Sequence, residues 1–429
     1  MKHVLFLICT LFSFVLFAAE TVAPPNDDES KVPKFELPDP LVMADGRKVD
    51  SVKMWTEQRR PELLKLFQEH VYGKPTLTEI NMKAEIFETA PVFDGKGIRY
   101  QLQLVFFKGE QPLQNDPKVD FLIYTPARKN GNKKFPIFLG LNFMGNHTIN
   151  ADPEIRLAQT IWNRSNGQQL PAKDEERGKQ SRRWQLETIF AHGFAVGTAY
   201  YGDFEPDFNG GIKHGVRRLI YKNGETPNPD DGNAIATWAW GLGKMLDAVT
   251  EFQDKLNIDP KKACLVGHSR LGKTSLWAGA IDERFSVVVS NDSGCGGSAL
   301  SRREFGETVH RINNSFPHWF CGNFKKYNRN VNALPVDQHE LVALIAPRPV
   351  YIASASEDLW ADPQGEFLSA FYADPVYRLF ETDGFGGVTE MPPVNQSVGN
   401  RIGYHRREGK HDIIEFDWIQ FLKFAQKYL

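Results

Sequence analysis

The stretch ACLVGHSRLGK, residues 263–273, sets Ser269 between Gly267 and Gly272. Ala263 to Val266 reads as a short buried strand, and LGKTSLWAGAID behind the serine carries helix formers with apolar positions at Leu271, Leu276 and Ala280. A serine on a sharp strand-to-helix turn has its hydroxyl exposed, and the helix N-terminus favours negative charge developing beside it. The nucleophile pattern is G-x-S-x-G, and here the second glycine comes one residue late. The serine is therefore either a nucleophile or one residue of an ordinary turn, and the rest of the chain has to decide.

A serine hydroxyl needs a base, and the base needs an acid to orient it. His411 in EGKHDIIEFDWIQFLKF is the candidate base, standing between a strand-like RIGYH and a final amphipathic helix. His405 lies within that strand and suits a packed or surface role. His268, next to the serine, suits shaping of the turn, and His339 heads a helix as a structural residue. Two loops offer the acid. PVYIASASEDLWADP ends a strand with Glu357 and Asp358, and FSVVVSNDSGCGG ends the strand before it with Asp292. Neighbouring parallel strands finish at one edge, so either carboxylate reaches a histidine there. An acid after a strand also serves as a helix cap.

The elements around these residues alternate. LQLVFFKG and VDFLIYTPA read as early antiparallel strands. FPIFLGLNF, GFAVGTAYYGD, CLVGHS, FSVVVSND and PVYIASAS follow as short buried strands. Asp231 or Asn233 is positioned to cap a helix through Phe252, with Ile235, Trp238, Leu242, Met245 and Val249 at helical spacing. Strands apolar on both faces and separated by helices predict an α/β fold, a mostly parallel sheet with helices on both sides. The chain order serine, acid, histidine on loops after late strands is that of an α/β-hydrolase. Polar insertions at 146–183 and 300–338 are placed to build a cleft.

The 429 residues are 41% hydrophobic and 24% charged with net charge −2, a soluble globular composition without the basic field of a nucleic-acid binder. MKHVLFLICTLFSFVLFAAE has a basic start and an apolar run too short for a comfortable span, which predicts a signal peptide over 1–19 and export to periplasm or medium. Residues 20–34, rich in Pro and acid, predict a flexible leader, and 35–429 reads as one domain. Cys264 reads as a buried free thiol, and in an oxidising compartment Cys295 and Cys321 are candidates for a bridge. No Cys or His cluster has zinc-ligand spacing, so neither metal nor cofactor is expected.

GHSRLGK, SNDSGCGGSALSRREFGETV and SASEDLWADP, followed by the late His411, together resemble bacterial glucuronoyl esterases of carbohydrate esterase family 15. The resemblance runs from about residue 40 to the C-terminus and takes in LNFMGNHT and HWFCGNF. The late glycine belongs to the family's G-x-S-R-x-G-K pattern. The resemblance implies hydrolysis of 4-O-methyl-glucuronic acid esters on glucuronoxylan, including those to lignin alcohols. From charge and the lack of a second apolar run, neither nucleic acid nor, once the signal is cleaved, a membrane is expected as a partner, and a monomer is expected. Ser269 and His411 match nucleophile and base. Asp358 matches the acid of many bacterial members and is favoured, while Asp292 stands in DSG where fungal members carry Glu in ESG. Arg270 matches an oxyanion-stabilising arginine, and Lys273, Glu307 and Trp360 match sugar contacts. The alternatives are an acetyl or feruloyl xylan esterase of the same fold, or an inactive carbohydrate-binding relative.

Overall fold

Short apolar runs build a ten-stranded sheet in a computed structural model that describes residues 24–127, 133–222 and 225–429. The signal-peptide reading of 1–19 lies outside the described residues. The strands are β1 (Asn81–Val92), β2 (Gly97–Phe107), β3 (Lys118–Pro126), β4 (Phe135–Asn142), β5 (Ala195–Tyr200), β6 (Ile258–His268), β7 (Val287–Asn291), β8 (Val350–Ala355), β9 (Ser397–Gly399) and β10 (Ile402–Arg407). Their order across the sheet is β1-β2-β3-β5-β4-β6-β7-β8-β10-β9. From β5 through β4, β6, β7 and β8 to β10 every neighbour is parallel. The first strands and the last edge pair are antiparallel.

The central strands are apolar on both faces because both faces are covered. Along β4, Ile137, Leu139 and Leu141 pack into one core and Phe138 into the other; along β6, Ala263 and Leu265 face one side while Cys264 and Val266 face the opposite one. Helices α1 (Arg60–His70), α2 (Ala234–Glu251), α3 (Arg270–Ile281) and α4 (Pro363–Leu379) cover the first face. Helix α5 (Glu415–Tyr428) closes the second through Trp418, Phe421 and Leu422. Among the described residues no helix is long and apolar enough to cross a membrane. Helix α2 starts after Asn233 as its spacing predicts, but the Asn233 side chain accepts from Arg217 Nη2 at 2.5 Å and donates to the Phe320 carbonyl at 3.0 Å instead of capping the helix.

Two expectations are corrected. Over its described part the leader is tied down: Asp28 caps a short turn at Glu29–Lys31, and the Glu29 carboxylate accepts from Arg303 Nη2 at 2.7 and 2.9 Å. Its Pro-rich, acidic composition predicts disorder only while no partner cation exists, and Arg303 is that cation. The Cys295–Cys321 bridge does not form, and Cys264, Cys295 and Cys321 are all free and buried. Cys295 and Cys321 sit within the hydrophobic core, and burial pushes the Cys321 thiol up to about 11. They behave as small hydrophobes. Protein prepared without reductant is expected to be inert to a thiol reagent when native and to release three thiols from residues 24–429 in denaturant. One thiol would establish the bridge.

Candidate active site

The serine turn follows from close packing that only glycine permits. A Cβ on Gly267 would stand 1.9 Å from the Leu271 carbonyl oxygen, so the chain can fold back there only without a side chain. The late Gly272 has its own cause: its Cβ would meet the Ser293 Cβ at 3.0 Å and the Asn291 carbonyl at 3.1 Å, where α3 crosses the exit of β7. Between them Ser269 holds φ 58° and ψ −130°, a strained geometry of order 1–3 kcal/mol that the surroundings maintain. Its N–H donates to the Asn291 carbonyl at 2.9 Å, and its own carbonyl accepts from the Gly272 and Lys273 N–H groups at 2.8 and 3.2 Å. The Arg270 and Leu271 N–H groups that begin α3 have no acceptor within the helix and stand at its serine end. His268 shapes this turn as expected. It is buried with Nδ1 2.7 Å from Asn291 Oδ1, and burial followed by the neighbouring His411 holds it well below the usual imidazole range.

His411 and Asp358 meet in space across 53 residues of sequence. His411, 40% exposed at its side chain, places Nδ1 2.6 Å from Oδ2 of buried Asp358. The loop that carries it is fixed by Arg407 at the end of β10. That guanidinium donates from Nη2 to the Lys410 and Asp412 carbonyls at 2.7 and 2.6 Å, flanking His411, and from Nε to Asp417 at 3.0 Å. The Glu357 N–H adds a bond to the Gly409 carbonyl at 2.9 Å.

Asp292 stands behind this pair. Its Oδ2 accepts from the Asp412 N–H at 3.2 Å and Arg407 Nη2 at 3.4 Å, and Oδ1 is buried without a partner. Burial, then the nearby Glu366 and Asp358, push its carboxyl well above the usual range. One atom each from Asp292, Asp358 and His411 lie within 4.8 Å of one another, the one convergence among the described residues of three side chains of metal-ligating type. A histidine already bonded to a carboxylate is equally the arrangement of a general base. Below Asp292, the buried Glu366 accepts from the Ser293 and Gly294 N–H groups at 2.8 and 3.0 Å and from Ser354 and Ser298 hydroxyls at 2.6 and 2.7 Å; burial raises it to about 6 against those bonds.

Arg270 is held by a residue that sequence reading missed. Its Nη1 donates to Asp207, and its guanidinium carbon lies 4.7 Å from the Trp319 ring centroid. Asp207 also accepts from the Tyr201 hydroxyl at 2.8 Å, Trp319 Nε1 at 2.6 Å and His318 Nε2 at 2.9 Å. Burial alone would raise Asp207, but the His318 bond and the Arg270 charge outweigh it and hold the carboxyl well below the usual range. Sixty-three residues separate Asp207 from Arg270, so no local pattern reveals the pair.

Lys273 lies one turn into α3, directly after Gly272. It is buried, and Nζ donates to the Ser293 and Cys295 carbonyls at 2.5 and 2.7 Å and to Glu307 at 3.3 Å. Glu307 is bound through its N–H to the Trp360 carbonyl at 2.9 Å, and the Trp360 side of that pair remains 43% exposed. The packed His405, between Tyr351 and Asp417, and the buried His339, bonded to the Pro38 carbonyl at 2.8 Å, lie in structural positions as expected.

The family model described as glucuronyl esterase, fungi, matches residues 226–381, the span containing Ser269, Asp292 and Asp358. The chain is 48% identical over 409 residues to "Carbohydrate esterase MZ0003" from an unknown prokaryotic organism, covering 94% of this chain and 92% of that protein. A solved promiscuous esterase of carbohydrate esterase family 15, from the marine bacterial metagenome, is 46% identical over 95% of this chain and 100% of its own, with a TM-score of 0.85. The chain belongs to carbohydrate esterase family 15. A glucuronoyl esterase from Solibacter usitatus is similar at 43% identity over 92% of this chain and 99% of its own, TM-score 0.86. The α/β-hydrolase fold expected from the strand pattern is the fold of this family 15 esterase.

If Asp207 acts through Arg270, Asp207→Asn is expected to slow ester hydrolysis at least about tenfold, within the range for a misplaced transition-state donor. The same change made in an Arg270→Ala background is expected to cost almost nothing more, the signature of a shared role. Additive losses would show that Asp207 supports the fold alone.

Proposed function

We propose that this family 15 esterase is a serine hydrolase of esters of (4-O-methyl-)glucuronic acid on glucuronoxylan, including links to lignin alcohols, exported on residues 1–19. The observation that carries this reading is the 2.6 Å His411–Asp358 bond at the edge where the strained Ser269 turn also ends. Asp358 accepts the Nδ1–H of His411 and so leaves Nε2 to take the Ser269 proton. Ser269 Oγ then attacks the ester carbonyl. The oxyanion formed is stabilised by the first N–H groups of α3 and by the Arg270 guanidinium, charges already oriented before the reaction begins. Collapse of the tetrahedral intermediate breaks the ester C–O bond, His411 gives its proton to the departing alcohol, and a glucuronoyl-serine remains. Water, deprotonated by His411, attacks that ester and releases the uronic acid with Ser269 restored.

The acyl side is read by Glu307 and Trp360. A pyranose offers hydroxyls to a carboxylate and an apolar face to an indole. Lys273, 3.3 Å from Glu307, balances the carboxylate's charge in a buried site and so acts on sugar through it.

Hydrolysis of a benzyl ester of methyl glucuronate, run beside acetylated xylan, separates this reading from a deacetylase. Uronic acid with little acetate is expected, and the reverse would reassign Glu307 and Trp360 to the cleft wall. Ser269→Ala is expected to lower turnover by roughly 10³-fold or more, and binding without any native turnover would mark a binding relative. Asp358→Asn is expected to cost on the order of 10³-fold by favouring the wrong imidazole tautomer. Asp292, already pushed toward its protonated form, is expected to tolerate Asn with a loss below about tenfold. Equal losses at the two positions would overturn the assignment of the acid.

A further inference from the structure

The polar insertion at 146–183 closes on its own start and then reaches the loop of His411. The Gly178 and Gln180 N–H groups donate to the His147 and Thr148 carbonyls at 3.1 and 2.8 Å, just beyond the end of β4. At the far end of the insertion Arg183 donates from Nε to Asp412 Oδ1 at 2.7 Å, and Arg182 donates from Nη1 to Oδ2 of the same carboxylate. The Arg183 carbonyl accepts from Trp418 Nε1 of α5 at 2.9 Å, which holds the pair from behind. Arg183 also walls a small cavity together with His268, the residue before Ser269.

Asp412, the residue after His411, is met at each of its polar groups. Its N–H donates to Asp292 Oδ2 at 3.2 Å, its carbonyl accepts from Arg407 Nη2 at 2.6 Å, and its carboxylate takes the two arginines and the Ile413 N–H at 3.0 Å. Burial alone would raise this carboxyl, but Arg182 and Arg183 outweigh it and hold it below the usual range. Arg407 thus ties the main chain around His411 to the sheet, and the Asp412 side chain ties the same loop to the insertion.

We propose that Arg182, Arg183 and Asp412 form a clamp that positions His411, making the general base and the insertion one rigid unit. This rests on the reading above that His411 is the base. All three act through His411 and are positioning residues. Arg182 is 58% exposed at its side chain, and an ion pair so open to water adds little to stability, so the clamp is expected to matter to the reaction more than to unfolding. A reacting group misplaced by about 1 Å can lose roughly 10²-fold in rate, and freeing one of two anchors of the loop is expected to cost about tenfold.

The test uses the protein beginning at residue 20 with the benzyl ester of 4-O-methyl-glucuronic acid. 4-Nitrophenyl acetate, run beside it, keeps the clamp readable if the acyl pocket takes another acid. Replacing both Arg182 and Arg183 with Ala is expected to lower kcat about tenfold while KM changes by less than about twofold. Asp412→Ala is expected to cost the same, and adding it to the double replacement almost nothing more. Arg183→Lys, which keeps the charge, is expected to stay within about threefold of the native kcat. Thermal unfolding reports that each variant is folded; if the double replacement is not, Asp412→Asn, of the same shape, is read in its place with the same expectation. A native kcat in a folded variant lacking the clamp, a loss confined to KM, or additive losses overturn the clamp. His411→Ala is the control: near-native turnover there overturns the reading of His411 as base, and the clamp with it.

Discussion

The guanidinium of Arg407 binds through Nη2 the carbonyls on both sides of His411 and the buried Asp292, and through Nε the buried Asp417. A buried cation in an apolar core is costly unless its donors are all met by well-placed acceptors, and here the acceptors come from β7, the loop after β10 and the start of α5. That requirement sets where the histidine loop lies. Asp358 reaches His411 because the loop is held against the end of β8, and the Ser269 turn opens at the same edge because β6 and β7 are parallel neighbours. The candidate active site lies where three strand ends converge, and Arg407 fixes the loop that brings His411 to it.

A second buried ion pair, Asp207 with Arg270, involves the residue that follows Ser269 in the chain. Asp207 meets four donors in a site with almost no exposure, so Arg270 is aimed without having to reorganise. Lys273 and Glu307 follow the same logic, with the ammonium satisfied by two carbonyls before it meets the carboxylate. Each of these cations is thereby neutralised and oriented by a buried partner.

How much of this was legible depended on distance along the chain. The parallel strands β4 to β8 were readable because burial on both faces leaves continuous apolar runs. The edge strand β1 was not, since its side chains alternate between exposed and half-buried and NMKAEIFETAPV has no apolar run. Ser269, His411 and Asp358 were readable because strand ends and chain order locate them. Asp207 and Glu366 gave no local signal: each is a single acid whose partners lie on other elements. Arg407 was hidden by its position within a strand, where a cation reads as an outward-facing residue. The leader and the cysteines misled for a common reason. Composition predicts a segment's behaviour in isolation, and Arg303 and the core around Cys295 and Cys321 are tertiary facts.

The three buried thiols have a consequence for how the chain matures. Cys264, Cys295 and Cys321 pack as apolar volume, and the fold closes around them without a covalent link. A domain of this size buries enough surface to need no cross-link. Among the described residues the redox poise of the compartment therefore has no disulfide to act on in the native state. The native covalent structure of those residues is the same in an oxidising compartment as in a reducing one.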